Sequence, residues 1–280
     1  MYAFVHIDKT AGTTLKSILR RSFGVRHCDI RLPRSRRHLD GLDHQVVIDA
    51  TDLRRVQRLY RNLVGFAGHN VKAYAELAWE RPDIRFFTIL RDPVARFRSH
   101  FLNRSRSFLR NDFECWTAET WVHNWQAKMI AGEPNAQKAI DLLSTRIGFV
   151  GLTERFDESL ILLGPWLREP GYSPLYRRLN QYIEKGHGSE ADRKREATRY
   201  LDTELARGRM QECNIEDQKV YDYVATILFA QQVARHSGDF ATELCEFQRQ
   251  QQAAGALKEA AWSRFVRNCV YKPLAHLRVA

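Results

Sequence analysis

The sequence predicts an α/β fold: one domain over residues 1–280, with a central, mostly parallel sheet flanked by helices and a peripheral helical tail over 235–280. Three observations lead there. Short apolar runs with aromatic and β-branched members recur, and most lead into stretches whose apolar residues fall at helical spacing. No internal repeat or linker composition interrupts them. The 280 residues, 44% hydrophobic and 28% charged, suffice for one substantial core and exclude a disordered chain.

Residues 2–7 (YAFVHI) form the first predicted strand. A helix follows from Thr13, with Leu15, Ile18 and Leu19 on one side and Lys16, Arg20 and Arg21 on the other. Residues 26–44 carry Arg26, Arg31, Arg34, Arg36, Arg37 and three histidines with little periodicity. They read as a basic loop, either solvated surface or the rim of a binding cleft. Residues 45–50 (QVVIDA) predict a short strand, and 51–61 a helix with Leu53, Val56 and Leu59 on one face. The runs 63–67 (LVGFA), 85–90 (RFFTIL) and 148–152 (GFVGL) predict further strands, the middle one most strongly. Helices are expected near 73–79, through 113–143 with Trp116, Trp121 and Trp125 packed inside, and over 156–167. Another is expected over 215–235, where Asn214 can cap. The polar stretch 186–209 reads as a loop or an exposed helix.

Between the first strand and its helix lies a tight turn, Asp8-Lys9-Thr10-Ala11-Gly12-Thr13-Thr14. The N–H groups of a helix's first turn point at one spot, and the helix dipole adds positive potential there. Gly12 lets a ligand approach the backbone, Lys9 brings a full charge, and the threonine hydroxyls add donors. An ordinary connection with a threonine N-cap and a solvated lysine uses the same residues. Nucleoside-triphosphatase loops place lysine after their glycines, G-x-x-x-x-G-K-[ST]. Here Lys9 precedes Gly12, directly off the strand, which suits a lysine reaching over a phosphate from the strand end.

The 85–90 run leads straight into Arg91-Asp92-Pro93, with Ser99 two turns further on. Pro93 suits a first helical position and Asp92 a cap. Arg91 then stands at a strand's C-terminal end, the edge where open α/β sheets bind ligands. Its guanidinium and the Ser99 hydroxyl can hold a phosphate; alternatively Arg91 pairs with a carboxylate and Ser99 faces polar surface. Two anion sites on one sheet suit a nucleotide phosphorylated at both ends of its ribose.

A net charge of +11 favours an anionic partner. The five cysteines are scattered and odd in number, which implies neither zinc nor a disulfide framework and points to a reducing cytoplasm. No run of eighteen apolar residues predicts a transmembrane helix, and nothing reads as a signal peptide.

At this point FVHIDKTAGTTL resembles the 5′-phosphosulfate loop, and FFTILRDPVARFRSHF the 3′-phosphate motif, of sulfotransferases that use 3′-phosphoadenosine 5′-phosphosulfate (PAPS). The chain is most similar to the branch containing heparan sulfate and uronyl 2-O-sulfotransferases. The likeness extends to LVGFAGHNVKAY, GFVGLTERFDESLILL and NIEDQKVYDYVATILFAQQV, within residues 4 to about 235, and the paired motifs lie about eighty residues apart.

The resemblance implies a P-loop-kinase-like sulfotransferase fold with PAPS as sulfuryl donor. It puts Lys9, Thr10, Ala11, Gly12, Thr13 and Thr14 around the 5′-phosphosulfate, and Arg91 with Ser99 on the 3′-phosphate. It makes His69 the base that takes the acceptor hydroxyl's proton during in-line displacement, and Lys9 the cation at the leaving phosphate. By its residues alone His69 reads equally as a core histidine. Heparan-type relatives carry a second histidine where this chain has Ala67, which puts their particular substrate in doubt. The expected acceptor is a hydroxyl on a carbohydrate or glycoconjugate, flanked by residues 26–37 and by Arg104, Arg106 and Arg110. The expected setting is cytoplasmic, as a soluble bacterial-type enzyme. No carboxylate pair stands at metal-ligand spacing, so no metal requirement is expected. Two other readings compete: a P-loop-type nucleotide kinase, and a non-catalytic binder of RNA or acidic glycans. The second explains the charge but leaves both motifs without a role, so nucleic acid is not the expected partner.

Overall fold

A computed structural model describes residues 1–32, 45–104, 110–177, 189–255 and 257–275. Among the described residues, five strands form one all-parallel sheet: β1 (Tyr2–Val5), β2 (His27–Asp29), β3 (Gly65–Gly68), β4 (Arg85–Leu90) and β5 (Ile147–Leu152), in the order β2-β3-β1-β4-β5. β1 lies in the middle, pairing Val5 with Gly68 on one side and with Thr88 on the other. Parallel strands need crossover connections that cover both faces, and β1, β3 and β4 are accordingly buried almost throughout.

Helices α1 (Gly12–Phe23), α2 (Ala50–Leu59) and α3 (Leu77–Glu80) connect the first four strands. Between β4 and β5 run α4 (Pro93–Arg104), α5 (Arg110–Ala118), α6 (Trp125–Ala131) and α7 (Ala136–Thr145). The helical pattern predicted over 113–143 is thus three helices. It breaks where Asn124 and Gly132 take left-handed backbone. After β5 come α8 (Phe156–Leu167), α9 (Ser189–Leu201), α10 (Glu204–Glu212) and α11 (Ile215–Tyr223). α11 continues through a π-helical turn, Val224–Leu228, into α12 (Phe229–Ala234), followed by α13 (Phe240–Ala253) and α14 (Ala261–Phe265).

Three expectations are corrected. Residues 45–50 form no strand: Val46 and Ile48 are buried, but Asp49 opens α2 through a capping box with Asp52. The missing strand is β2, inside the segment read as a loop. Asn214 does not cap α11, because its side chain donates to the Met210 carbonyl; Asn124 Oδ1 accepts from the Glu216 and Asp217 amides instead. Arg34, Arg36, Arg37 and Arg106 lie outside the described residues, as does the Arg110 side chain.

The main core gathers both faces of the sheet and takes in Phe247 and Tyr271 from the tail. A second cluster, built on Phe97, Phe101, Phe113, Leu201 and Met210, joins α4, α5, α9 and α10. Trp125 is buried, and Trp116 and Trp121 pack edge-on around His100, the structural role expected of all three.

Gly65 is where β3 passes the Tyr2 ring, and a Cβ there would overlap it. Gly65→Ala should therefore destabilise the protein by about 1–3 kcal/mol through overpacking. Urea unfolding checks this; an unchanged midpoint would contradict the tight β1–β3 contact.

Candidate functional site

From β1 the chain turns to β2 on one side of the sheet; from β4, the neighbouring strand, it runs to β5 on the other. Opposite exits from adjacent strands open a crevice at their C-terminal ends. The 8–14 turn follows β1 and Arg91 follows β4, so both predicted anion motifs meet there. Arg91 Nη1 donates to the Lys9 carbonyl at 3.2 Å and ties the two exits together.

The turn winds in an unusual way. Lys9 and Ala11 both adopt left-handed backbone, with φ of 69° and 60°. For residues with side chains this costs about 1–3 kcal/mol each, and such strain clusters at ligand sites. Left-handed residues beside right-handed ones bend successive amides toward a common point, an anion-binding nest. Ala11 is the N-cap of α1 and no side chain caps it; no acidic residue stands in the first turn. Gly12 is required by close approach, since a Cβ would overlap the His6 ring beneath it.

The three threonines divide. The buried Thr10 hydroxyl donates inward to the Ile7 carbonyl at 3.0 Å, bracing the turn. Thr14 is buried as well, and Thr13 is exposed. Lys9 is half-buried, and burial lowers its pKa; Asp8 opposes the shift, while Arg91 and Arg104 add to it.

Arg91 is positioned by Gln126, which the sequence reading missed. Gln126, fully buried, receives the Arg91 amide on Oε1 at 3.0 Å and donates Nε2 to the Arg91 carbonyl at 2.8 Å. Asp217 in turn accepts from the amides of Gln126 and Ala127, at 3.0 and 2.7 Å. Asp92 caps α4 as expected, accepting from Ala95 N at 2.7 Å. Glu154 stands 4.0 Å from Arg91 Nε, within ion-pair reach but too far for a hydrogen bond. Ser99 lies two turns along α4, half-buried. Arg96, fully buried on the same helix, has no hydrogen-bond partner for Nε or Nη2 among the described residues.

His69 follows β3 directly and faces the β1 exit. Its Nδ1 is 3.0 Å from the His6 carbonyl, its ring stacks on His6 at 4.0 Å, and Asp8 Oδ2 is 3.5 Å from Nδ1. A carbonyl only accepts, so Nδ1 carries the hydrogen and Nε2 keeps its lone pair. Protein packed around the imidazole lowers its pKa first, with Lys16 and Lys72 adding; Asp8 and the His6 carbonyl oppose them. The side chain remains 43% exposed, so water tempers that effect. His69 is thus a neutral, partly accessible imidazole near pH 7 with a defined tautomer. For Asp8, burial works to raise the pKa, and His69, His100, Arg96 and Lys72 outweigh it, holding the carboxyl below its ordinary value.

Lys9, Gly12, Arg91 and His69 therefore share one edge with Asp8 of the same turn and with the missed residues His6, Lys72, Arg96 and Gln126. Only His6 leaves a trace in the sequence, as a polar residue inside an apolar strand. The arrangement can bind an oxyanion on backbone amides, add cationic charge, and accept a proton at His69 Nε2. No cluster of three or more metal-binding side chains occurs among the described residues. No helix among them is long and apolar enough to cross a membrane. Compared with models of known protein families and with curated protein sequences, the chain matches none.

Buried His6, His27 and His100 are all pushed down by burial first; His100 falls to about 3, with Arg96 next in effect. Their neutral forms are favoured in the folded state, so the unfolded chain binds more protons below the ordinary imidazole pKa of about 6.5. Stability should hold above that pH and fall below it, by up to about 1.4 kcal/mol per pH unit for each histidine. Urea midpoints between pH 7 and 5 test this; a flat profile would contradict it.

Proposed function

We propose that the protein is a sulfotransferase that takes a sulfuryl group from PAPS to a hydroxyl, on a P-loop-kinase-like fold. The observation that carries this reading is the strained, uncapped turn after β1, joined through Arg91 to the neighbouring strand exit. A nest with its own lysine and a guanidinium one strand away fit a ligand with two separated phosphate-type groups. The fit rests on the cations and amides present, and the flanking carboxylate Asp8 is itself held among His69, His100, Arg96 and Lys72. Lys9, Ala11, Gly12, Thr13 and Thr14 would hold the 5′-phosphosulfate, with Thr10 bracing their turn. Arg91 and Ser99 would hold the 3′-phosphate. Bound there, PAPS supplies an activated sulfuryl group.

His69 Nε2 then takes the proton of the acceptor hydroxyl as its oxygen is committed to sulfur. Nδ1 keeps its hydrogen, donated to the His6 carbonyl, and Asp8 faces the imidazolium that forms. Lys9 offsets negative charge on the departing phosphate oxygen. Gln126 holds the Arg91 backbone against displacement. A carbohydrate hydroxyl is the proposed acceptor, in keeping with the motif resemblance.

Adenosine 3′,5′-bisphosphate should raise Tm more than ATP–Mg²⁺ does, and Lys9→Ala should remove most of the rise. Stronger stabilisation by ATP–Mg²⁺ would favour a nucleotide kinase instead. His69→Ala should lower kcat by ~10²–10⁴-fold while nearly sparing binding of the bisphosphate. Because the His69 pKa is lowered, kcat/KM should stay level from pH 7 upward and fall only below about 6.5. A wild-type acid limb centred above pH 7 would remove His69 from the role.

A further inference from the structure

A second basic recess lies beyond the outer strand. Arg20 of α1, Asp29 and Arg31 at the exit of β2, and Arg267, Tyr271 and Lys272 of the tail surround a cavity of about 190 Å³. Two of its cations are paired: Arg20 with Asp29, and Arg267 with Glu259 at 2.8 Å. Neither Arg31 nor Lys272 has an ion-pair partner among the described residues. Among the described residues, four cations against two carboxylates leave two positive charges without an ion-pair partner. Burial lowers the Lys272 pKa, with Arg31, Arg267 and Arg20 adding and Asp29 opposing, so the folded chain holds these cations together at a cost.

The recess is also built. The Tyr271 hydroxyl receives the Arg31 amide at 2.8 Å, and buried Tyr271 packs edge-on against Tyr60, fixing the tail to the β2 exit. Asp29 is engaged by His27, Lys16 and Arg20, which outweigh burial and hold it ionised. β2 pairs with β3, so Arg31 follows the strand next to the one that leads into His69. Half-buried Lys16 influences both Asp29 and His69.

We infer that this recess is a second oxyanion site, taking a dianionic sulfate or phosphate group, separate from the turn at residues 8–14. Two charges without an ion-pair partner among the described residues are what a dianion neutralises. Guanidinium groups and a lysine offer the donors its oxygens need. The group can arrive as a free anion or carried on a sugar. The inference does not need the donor reading, because it concerns other residues and a different ligand.

Isothermal titration of the Lys9→Ala protein isolates the recess from the turn. Inorganic sulfate should bind it saturably, as should inorganic phosphate, while acetate should bind far more weakly. Arg31→Ala with Lys272→Ala should weaken sulfate at least ten-fold, and Arg31→Lys with Lys272→Arg should retain most of it. N-acetylglucosamine 6-sulfate binding more tightly than inorganic sulfate identifies a sugar-borne group; equal affinity identifies the free anion. Adenosine 3′,5′-bisphosphate titrated into Arg31→Ala/Lys272→Ala protein with Lys9 intact reports the turn independently. Absence of saturable sulfate binding in Lys9→Ala protein, or binding that the alanine pair leaves unchanged, would overturn the inference.

Discussion

The turn from Asp8 to Gly12 bends back on itself through two left-handed residues that carry side chains, and its neighbours hold that path. Two such residues cost roughly 2–6 kcal/mol together. The Thr10 bond to Ile7 and the Arg91 bond to Lys9 return about 2–4.5 kcal/mol between them, the second having a charged donor. These terms nearly cancel, so the turn keeps its shape without a large surplus, and an anion on its amides adds stability on binding. The Arg91 bond also ties the β1 exit to the β4 exit, making a crevice out of two loops.

Charge gathers around that crevice in a graded way. Lys72, Arg96 and His100 are buried, Lys9, Lys16 and Arg91 are half-buried, and Asp8 stands among them as a counter-charge. Buried cations are costly unless compensated. Lys72 donates to the Met129 sulfur at 2.7 Å, and Asp217 faces Arg96. The imidazoles escape this cost by staying neutral, which leaves His69 in the protonation state a base requires. His6 and His69, the proposed base, thus share the same desolvation; what distinguishes His69 is its accessible edge.

Much of this architecture was legible in the sequence, and what was not has physical reasons. β4 and α8 matched because long apolar runs with clear ends carry their own signal. β2 was missed because three residues in a basic stretch acquire strand geometry only by pairing with β3. Residues 45–50 misled because burial of Val46 and Ile48 mimics a strand, while the local capping box decides the backbone. Lys9, Gly12 and Arg91 were readable from their places after strands. Gln126 and Asp217 act across 35 and 91 residues of chain, and nothing local announces them. Arg96 sits inside the second motif with no role read for it, and its burial, with Asp217 and Asp8 as its counter-charges, shows only in the folded chain.

The central claim is that one doubly phosphorylated nucleotide spans the crevice between the β1 and β4 exits. A crystal structure with adenosine 3′,5′-bisphosphate tests it most directly. The expected result is a single molecule, its 5′-phosphate on the amides of residues 12–14 beside Lys9 and its 3′-phosphate on Arg91 and Ser99. The nucleotide seated elsewhere, or reaching only one of those two places, would contradict the account.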